Sequence, residues 1–287
     1  NRTVAVNIGV VNLNGIKRQL GMCITRESCF LSAYQPFIKD LSNNSLSLVA
    51  FDMLHGALPV SYVPDLSSPF LLYWDFNATT NIFVMTFSET VYMSFFNFSG
   101  ITLTNNQGSS FRLDGPIGVS TEPTHAVQFS LSSDQFFLMQ QYNNFFTARN
   151  NSFLILDQGI VVDTSADQNK YASSTATLAN PMRVRTFYRD LIDPQLTAFE
   201  LDMPNATLTF FFSKTVRLSS MQIQYLMFQS DENQIPTGTE LIVLSSADVQ
   251  VLTSVDSPVV VLKLLASGLN KFYNSLNLGR SVETTFV

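Results

Sequence analysis

Apolar residues in this chain come in short runs bounded by Asn, Gly, Ser and Pro. Runs at 71–76, 82–87, 101–103, 126–131, 153–156, 160–162 and 182–187 are rich in Val, Ile, Phe, Tyr and Thr, and each reads as a strand. Val127, Phe129 and Leu131 alternate with Gln128 and Ser130, which gives that run one apolar and one polar face. Only the stretch 134–141 has helical spacing, with Phe137, Leu138 and Gln141 on a common face. The longest apolar run, 259–269, is interrupted by Lys263 and Ser267, so it reads as a core strand leading into a short helix. It is too short and too polar to span a membrane.

The pattern repeats. Phe87-Ser88-Glu89-Thr90-Val91 returns as Phe212-Ser213-Lys214-Thr215-Val216, 125 residues later, and Asp65 with Pro69 returns as Asp190 with Pro194 at the same offset. Asn77-Ala78-Thr79 has a near-counterpart in Asn205-Ala206-Thr207. The apolar stretch 4–8 followed by Leu13-Asn14-Gly15-Ile16 aligns with 126–131 followed by 134–138, and again with 260–264 followed by Leu269-Asn270-Lys271-Phe272. A fixed period of this size marks a modular array. With the Asp-x-x-x-Pro element as junction, residues 69–193 are expected to form one complete module. Residues 1–68 are then the back part of its predecessor, and 194–287 the front part of its successor. The chain is expected to be an excerpt of a longer array or a protomer whose incomplete ends neighbours complete. About seven turn-bounded strands per period predict an all-β fold of tandem immunoglobulin-like sandwiches.

Composition narrows the function classes. A net charge of −6 provides no basic stripe with which to hold a polyanion, so nucleic-acid binding is disfavoured. Only 13% of residues are charged, while Ser, Thr and Asn are abundant, so hydroxyls, amides or attached sugar must keep the surface soluble. Six Asn-x-Ser/Thr sequons stand at Asn1, Asn43, Asn77, Asn97, Asn150 and Asn205. Asn77, Asn150 and Asn205 fall in expected turns, where a glycan points to water; Asn97 lies between Phe96 and Phe98. Cys23 and Cys29 are six apart, and in an oxidising compartment would bridge to each other. The other reading of the pair is two buried thiols. The spacing is wrong for a redox Cys-x-x-Cys, and no neighbouring His completes a zinc site.

The strand and turn motifs resemble two groups of surface proteins. Residues 85–91 are similar to the Leu-Thr-Phe-Ser-Glu-x-Val element of bacterial immunoglobulin-like repeats in S-layer and cell-surface proteins. Leu13-Asn14-Gly15-Ile16-Lys17, Gly159-Ile160-Val161-Val162-Asp163 and the 190–194 linker resemble, more closely, the tandem immunoglobulin-like repeats of secreted algal and protist surface proteins, including those of flagellar hairs (mastigonemes). The resemblance runs over essentially the whole chain. It implies an extracellular filament or coat protein, and it specifies fold better than function. Lys214 departs from the acidic residue of the pattern.

Catalytic chemistry is nearly absent from the sequence. His55 and His125 stand without partners, and no nucleophile elbow, zinc-protease helix or phosphate loop occurs. Asp163, Asp167, Asp190 and Asp193 recur at turns and junctions, which suits capping better than glycosidase chemistry. Asp163, Asp167 and Asn169 form the best cluster for calcium, but their spacing matches no loop with defined ligand positions, so neither metal nor cofactor is expected. The expected function is a non-enzymatic structural subunit of an extracellular, glycosylated filament or coat. Its expected partners are further copies of itself, head to tail and with strand complementation at open edges. An adhesin or carbohydrate-binding array is the alternative, and a spacer within a large enzyme a third reading. Trp74 aligns with Phe199 and reads as core, which favours the structural expectation.

Overall fold

The computed structural model describes residues 3–47, 56–105, 107–142, 144–172, 175–231, 240–281, 283, 285 and 286; Asn1 and His55 lie outside them. The chain divides into two compact units, one of residues 1–132 and 144–190, the other of residues 133–143 and 191–287. Both are β-rich, and the α-helices among the described residues have eight, eight and nine residues.

The first unit holds the helix α1 (Val10–Lys17) and eight strands: β1 (Leu71–Asn77), β2 (Ile82–Val91), β3 (Ile101–Thr104), β4 (Ser110–Arg112), β5 (Thr124–Ser130), β6 (Phe153–Leu156), β7 (Met182–Arg183) and β8 (Thr186–Tyr188). They form two four-stranded sheets of order β5-β2-β1-β8 and β4-β3-β6-β7. The β1–β2 hairpin closes through Asn77, whose Oδ1 accepts the amides of Thr79 and Thr80, and through Asn81 at a φ of 57°. Asn tolerates this left-handed conformation because its short polar side chain bonds locally. The outer edge of β1 takes β8 in parallel, pairing Asp75 with Thr186, Phe76 with Phe187 and Asn77 with Tyr188.

Period-two burial decides which side chains form the core. Trp74, Phe76, Phe83, Met85, Phe87, Val127 and Phe129 from the first sheet, and Ile101, Leu103, Leu154 and Leu156 from the second, are all buried. The Phe83 ring lies parallel to that of Phe129 at 5.0 Å, and 4.3 Å from that of Phe76. Trp74 donates its Nε1 proton to the Met182 carbonyl on β7 at 2.9 Å, satisfying the one polar atom of this fully buried ring.

Two expected strands differ in detail. Residues 160–162 are buried but make only isolated backbone pairings: Val161 accepts from Tyr171, Val162 from Tyr92 and Ile160 from Asn97. Their apolar run reflects burial in a loop whose carbonyls are satisfied from three directions. The stretch 182–187 splits between β7 and β8, which belong to different sheets.

The second unit holds α2 (Ser133–Gln140), β9 (Leu196–Asp202), β10 (Thr207–Val216), β11 (Met227–Gln229), β12 (Leu241–Val243), β13 (Val249–Val251), β14 (Ser257–Leu264) and α3 (Ala266–Asn274). Its sheets run β13-β14-β10-β9 and β11-β12. Leu208, Phe210, Phe228, Val260, Leu262, Leu264, Phe272 and Leu278 form the core. α3 follows β14 directly and lies close to the β12–β13 turn. A Cβ on Gly268 would stand 2.5 Å from the Asp248 carbonyl oxygen, so only glycine permits that approach. Lys271, one turn on, donates to Asp248 Oδ2 at 2.7 Å. Against the carboxylate's desolvation, donation from Lys271 and Ser245 holds the Asp248 pKa well below the usual range.

Candidate functional site

α1, the linker before β1, strand β2 and the loop after β6 meet at one lysine. Lys17 closes α1, where a cation complements the helix C-terminus. Its Nζ lies 2.5 Å from Asp65 Oδ2 and 2.5 Å from Glu89 Oε2. One turn earlier, buried Asn14 accepts the Thr90 hydroxyl proton through its carbonyl at 3.2 Å and its Oδ1 at 3.3 Å. Adjacent residues of β2 therefore both hold the helix. Asp65 caps its own turn by accepting the Ser67 amide at 2.9 Å, and its carbonyl accepts Asn169 Nδ2 at 2.9 Å.

Asn169 links this pair to Asp163, which is fully buried and accepts from the Ser165 amide and hydroxyl and from the Asn169 amide and side chain. Carboxylate oxygens of Asp65, Glu89 and Asp163 lie within 4.8 Å of one another. Three hard oxygens at that spacing are donors a divalent cation would accept. The lysine ammonium already contacts two of them, so the chain supplies its own positive charge there.

Burial sets the electrostatics. Desolvation, with the neighbouring Asp65 and Asp163, raises the Glu89 pKa to about 7 despite its bond to Lys17. Burial would also raise that of Asp65, but donation from Lys17 and the Ser67 amide outweighs it and leaves the pKa lowered. For Lys17, burial works against the charge, while Asp65 and Glu89 restore it and leave the ammonium favoured. The cluster is thus a tether with one carboxyl poised to titrate near neutrality.

Of the residues grouped from sequence, Asp163 and Asn169 do meet, while Asp167 is exposed at the tip of the same turn. Lys17, Asp65 and Glu89 were not grouped, although Asp65 and Glu89 belong to the recurring motifs. At the position recurring for Glu89 stands Lys214, whose Nζ donates to the Ile192 carbonyl at 2.5 Å. The recurring position thus carries opposite charge in its two occurrences. His125 is half-buried on β5, and Asp193 is exposed.

Cys23 and Cys29 are joined by a disulfide. Beside it a mainly apolar cavity of about 740 Å³ is lined by Ile8, Ile16, Met22, Phe30, Leu31 and Pro59, among others. Asn43, Asn97, Asn150 and Asn205 are exposed, and Asn77 is half-buried at the end of β1. Asn205 Nδ2 donates to Asp202 Oδ2 at 2.8 Å, on an exposed turn.

No helix among the described residues is long and apolar enough to cross a membrane. No family model and no curated protein matches the chain. Among solved structures, the N-terminal part of the bacterial S-layer protein SbsC is similar at 14% identity with a TM-score of 0.28, over 69% of this chain and 44% of that one. This chain thus spans less than half the length of that one.

Proposed function

We propose that the chain is a structural subunit of an extracellular, glycosylated filament or surface coat, built from immunoglobulin-like modules that associate head to tail. The observation that carries this reading is the recurrence of elements. β1 and β2, of seven and ten residues, span 71–77 and 82–91; β9 and β10, of the same lengths, span 196–202 and 207–216, 125 residues on. Short 3-10 turns follow at 93–95 and 98–100, and at 218–220 and 223–225. The third hairpin-sheet strand, β5 or β14, pairs antiparallel to β2 or β10 and leads straight into α2 or α3. Elements repeated at this interval serve extension.

A disulfide belongs to an oxidising compartment, and exposed sequons suit a secreted chain whose surface carries few charges. The Lys17 tether fits the same role, since it fixes α1 and the linker at Asp65 against β2. The reading is tested by secreting the chain from a eukaryotic host and imaging it by negative-stain electron microscopy. Linear polymers with glycans at the sequons are expected. Unglycosylated, monodisperse monomers at all concentrations would overturn it.

A further inference from the structure

Lys17 stands where an amine and a carboxyl can join. Its Nζ lies 2.5 Å from Asp65 Oδ2, so Asp65 Cγ, one C–O bond beyond, is at most about 3.7 Å away. Reacting atoms about 3–3.5 Å apart are in a near-attack arrangement. The 2.5 Å contact with Glu89 Oε2 sets a second carboxyl against the same nitrogen. Each partner is held from elsewhere. The Thr90 hydroxyl pins Asn14 of α1, the Ser67 amide holds Asp65 Oδ1 at 2.9 Å, and Asn169 holds the Asp65 carbonyl. The side chains of Lys17, Asp65 and Glu89 are 17%, 27% and 10% exposed, so bulk water is largely kept from all three.

An ion pair needs one carboxylate, and here there are two. Burial raises the pKa of the second, Glu89, to about 7, so near neutrality it exists both with and without its proton and can carry one in either direction. Glu89 also hydrogen-bonds the Asp65 carboxyl, which completes a route for protons from Lys17 to Asp65. The Ser67 amide, on the other oxygen of Asp65, is placed to hold negative charge as it develops there. Lys271 and Asp248 give the contrast. The Lys271 side chain is 40% exposed, and among the described residues it meets a single carboxylate.

We propose that Lys17 and Asp65 condense into an amide between Nζ and Cγ, with Glu89 as proton carrier, giving the folded chain an internal covalent clasp. Glu89 takes one proton from the Lys17 ammonium and passes it to Asp65 Oδ2. The freed amine lone pair attacks Cγ and forms the C–N bond, while charge collects on Oδ1 against the Ser67 amide. Glu89 then takes a second proton from the nitrogen and gives it to the Oδ2 hydroxyl; the C–Oδ2 bond breaks and Oδ2 leaves as water. Two of the three Nζ protons depart with that water, the third stays on the amide, Glu89 ends as it began, and nothing is oxidised or reduced. The resting cluster favours the ammonium, so the reaction runs through a minor form and is slow. One event per chain is enough, and well-oriented partners reach effective concentrations on the order of 10⁵ M or more. In the product Glu89 stays buried and loses the ammonium that opposed its protonation, so its pKa stays raised. The amide closes a loop between residues 48 positions apart, and a pull along the chain then bypasses residues 18–64.

The test is the intact mass of the full chain, made unglycosylated by cell-free synthesis under disulfide-forming conditions, held at neutral pH and denatured for measurement at successive times. Beyond the hydrogens lost to the Cys23–Cys29 disulfide, the chain should become lighter by one water. Lys17→Arg and Asp65→Ala should each keep that water. Tryptic mapping should show no cleavage after Lys17 and a branched peptide joining it to Asp65. Glu89→Gln, with the native fluorescence of Trp74, should form the bond at least about tenfold more slowly. A wild-type chain with native fluorescence that keeps its full mass, and Lys17 open to trypsin once unfolded, would overturn the proposal without recourse to any variant. A water lost elsewhere, as by cyclisation at Asp114-Gly115, would overturn it equally. A branch at Glu89 would overturn Asp65 as the acceptor, and Glu89→Gln reacting at the wild-type rate would overturn Glu89 as the proton carrier.

Discussion

Lys17 and Glu89, 72 residues apart in sequence, meet at 2.5 Å where the last residue of α1 touches β2. The contact holds a helix with little strength of its own: α1 contains Asn12, Asn14 and Gly15, all poor helix formers. Its anchorage is tertiary, through Asn14 to Thr90 and Lys17 to Glu89 and Asp65.

The Glu89 contact makes the first unit sensitive to pH. Its carboxyl binds a proton more tightly in the folded chain, with a pKa near 7 against an ordinary 4.5. Its contribution to stability is therefore full below about pH 4.5 and is lost as pH rises through 7. Asp65 has the opposite sign: its lowered pKa contributes stability that is lost as pH falls below the ordinary carboxylate value. We predict that Glu89→Gln removes the neutral-side loss. Relative to the variant, the wild-type chain should lose on the order of 2 kcal/mol between pH 4.5 and 7.5, measured by urea denaturation. Parallel pH profiles for the two chains would contradict this.

Gly268 and Gly15 make a matched pair. A Cβ at Gly268 meets the Asp248 carbonyl oxygen at 2.5 Å, while one at Gly15 meets nothing within 4 Å. Gly268→Ala should destabilise the second unit by about 1–3 kcal/mol. Gly15→Ala should leave the chain equal or more stable by up to about 1 kcal/mol through helix propensity. Thermal denaturation of both variants checks the contrast; equal effects would contradict the close approach of α3.

Phe83 lies between Phe76, Phe129 and Trp74, and is 0% exposed. Phe83→Ala should cost about 3–5 kcal/mol, read as a lowered urea midpoint in the fluorescence of Trp74, the chain's one tryptophan.

Glycans are predicted at Asn77, Asn150 and Asn205, in each case on a turn or at a strand end. Peptide mapping of the chain secreted by a eukaryotic host should find all three modified. Asparagine left bare at these three sites would contradict the surface role of sugar.

Local pattern located β1, β2, β3, β5 and β6 within a few residues, because each carries several buried apolar side chains in one short run. It did not locate β4, whose Ser110-Phe111-Arg112 is mostly exposed and offers a single apolar residue, too short a run to read. Nor could it join β8 to β1, since Phe76 and Phe187 are brought together by topology. The tether was illegible for the same reason: Lys17, Asp65 and Glu89 are spread over three segments, and each alone reads as an ordinary surface charge. Asp163 and Asn169, close in sequence, were the part that could be read.

Sedimentation velocity of the secreted chain across a wide concentration range tests the central claim most directly. The account predicts a broad, concentration-dependent series of open-ended oligomers, which lengthen as concentration rises and shorten on dilution. A single sharp monomer boundary at every concentration, or one closed dimer, would contradict it.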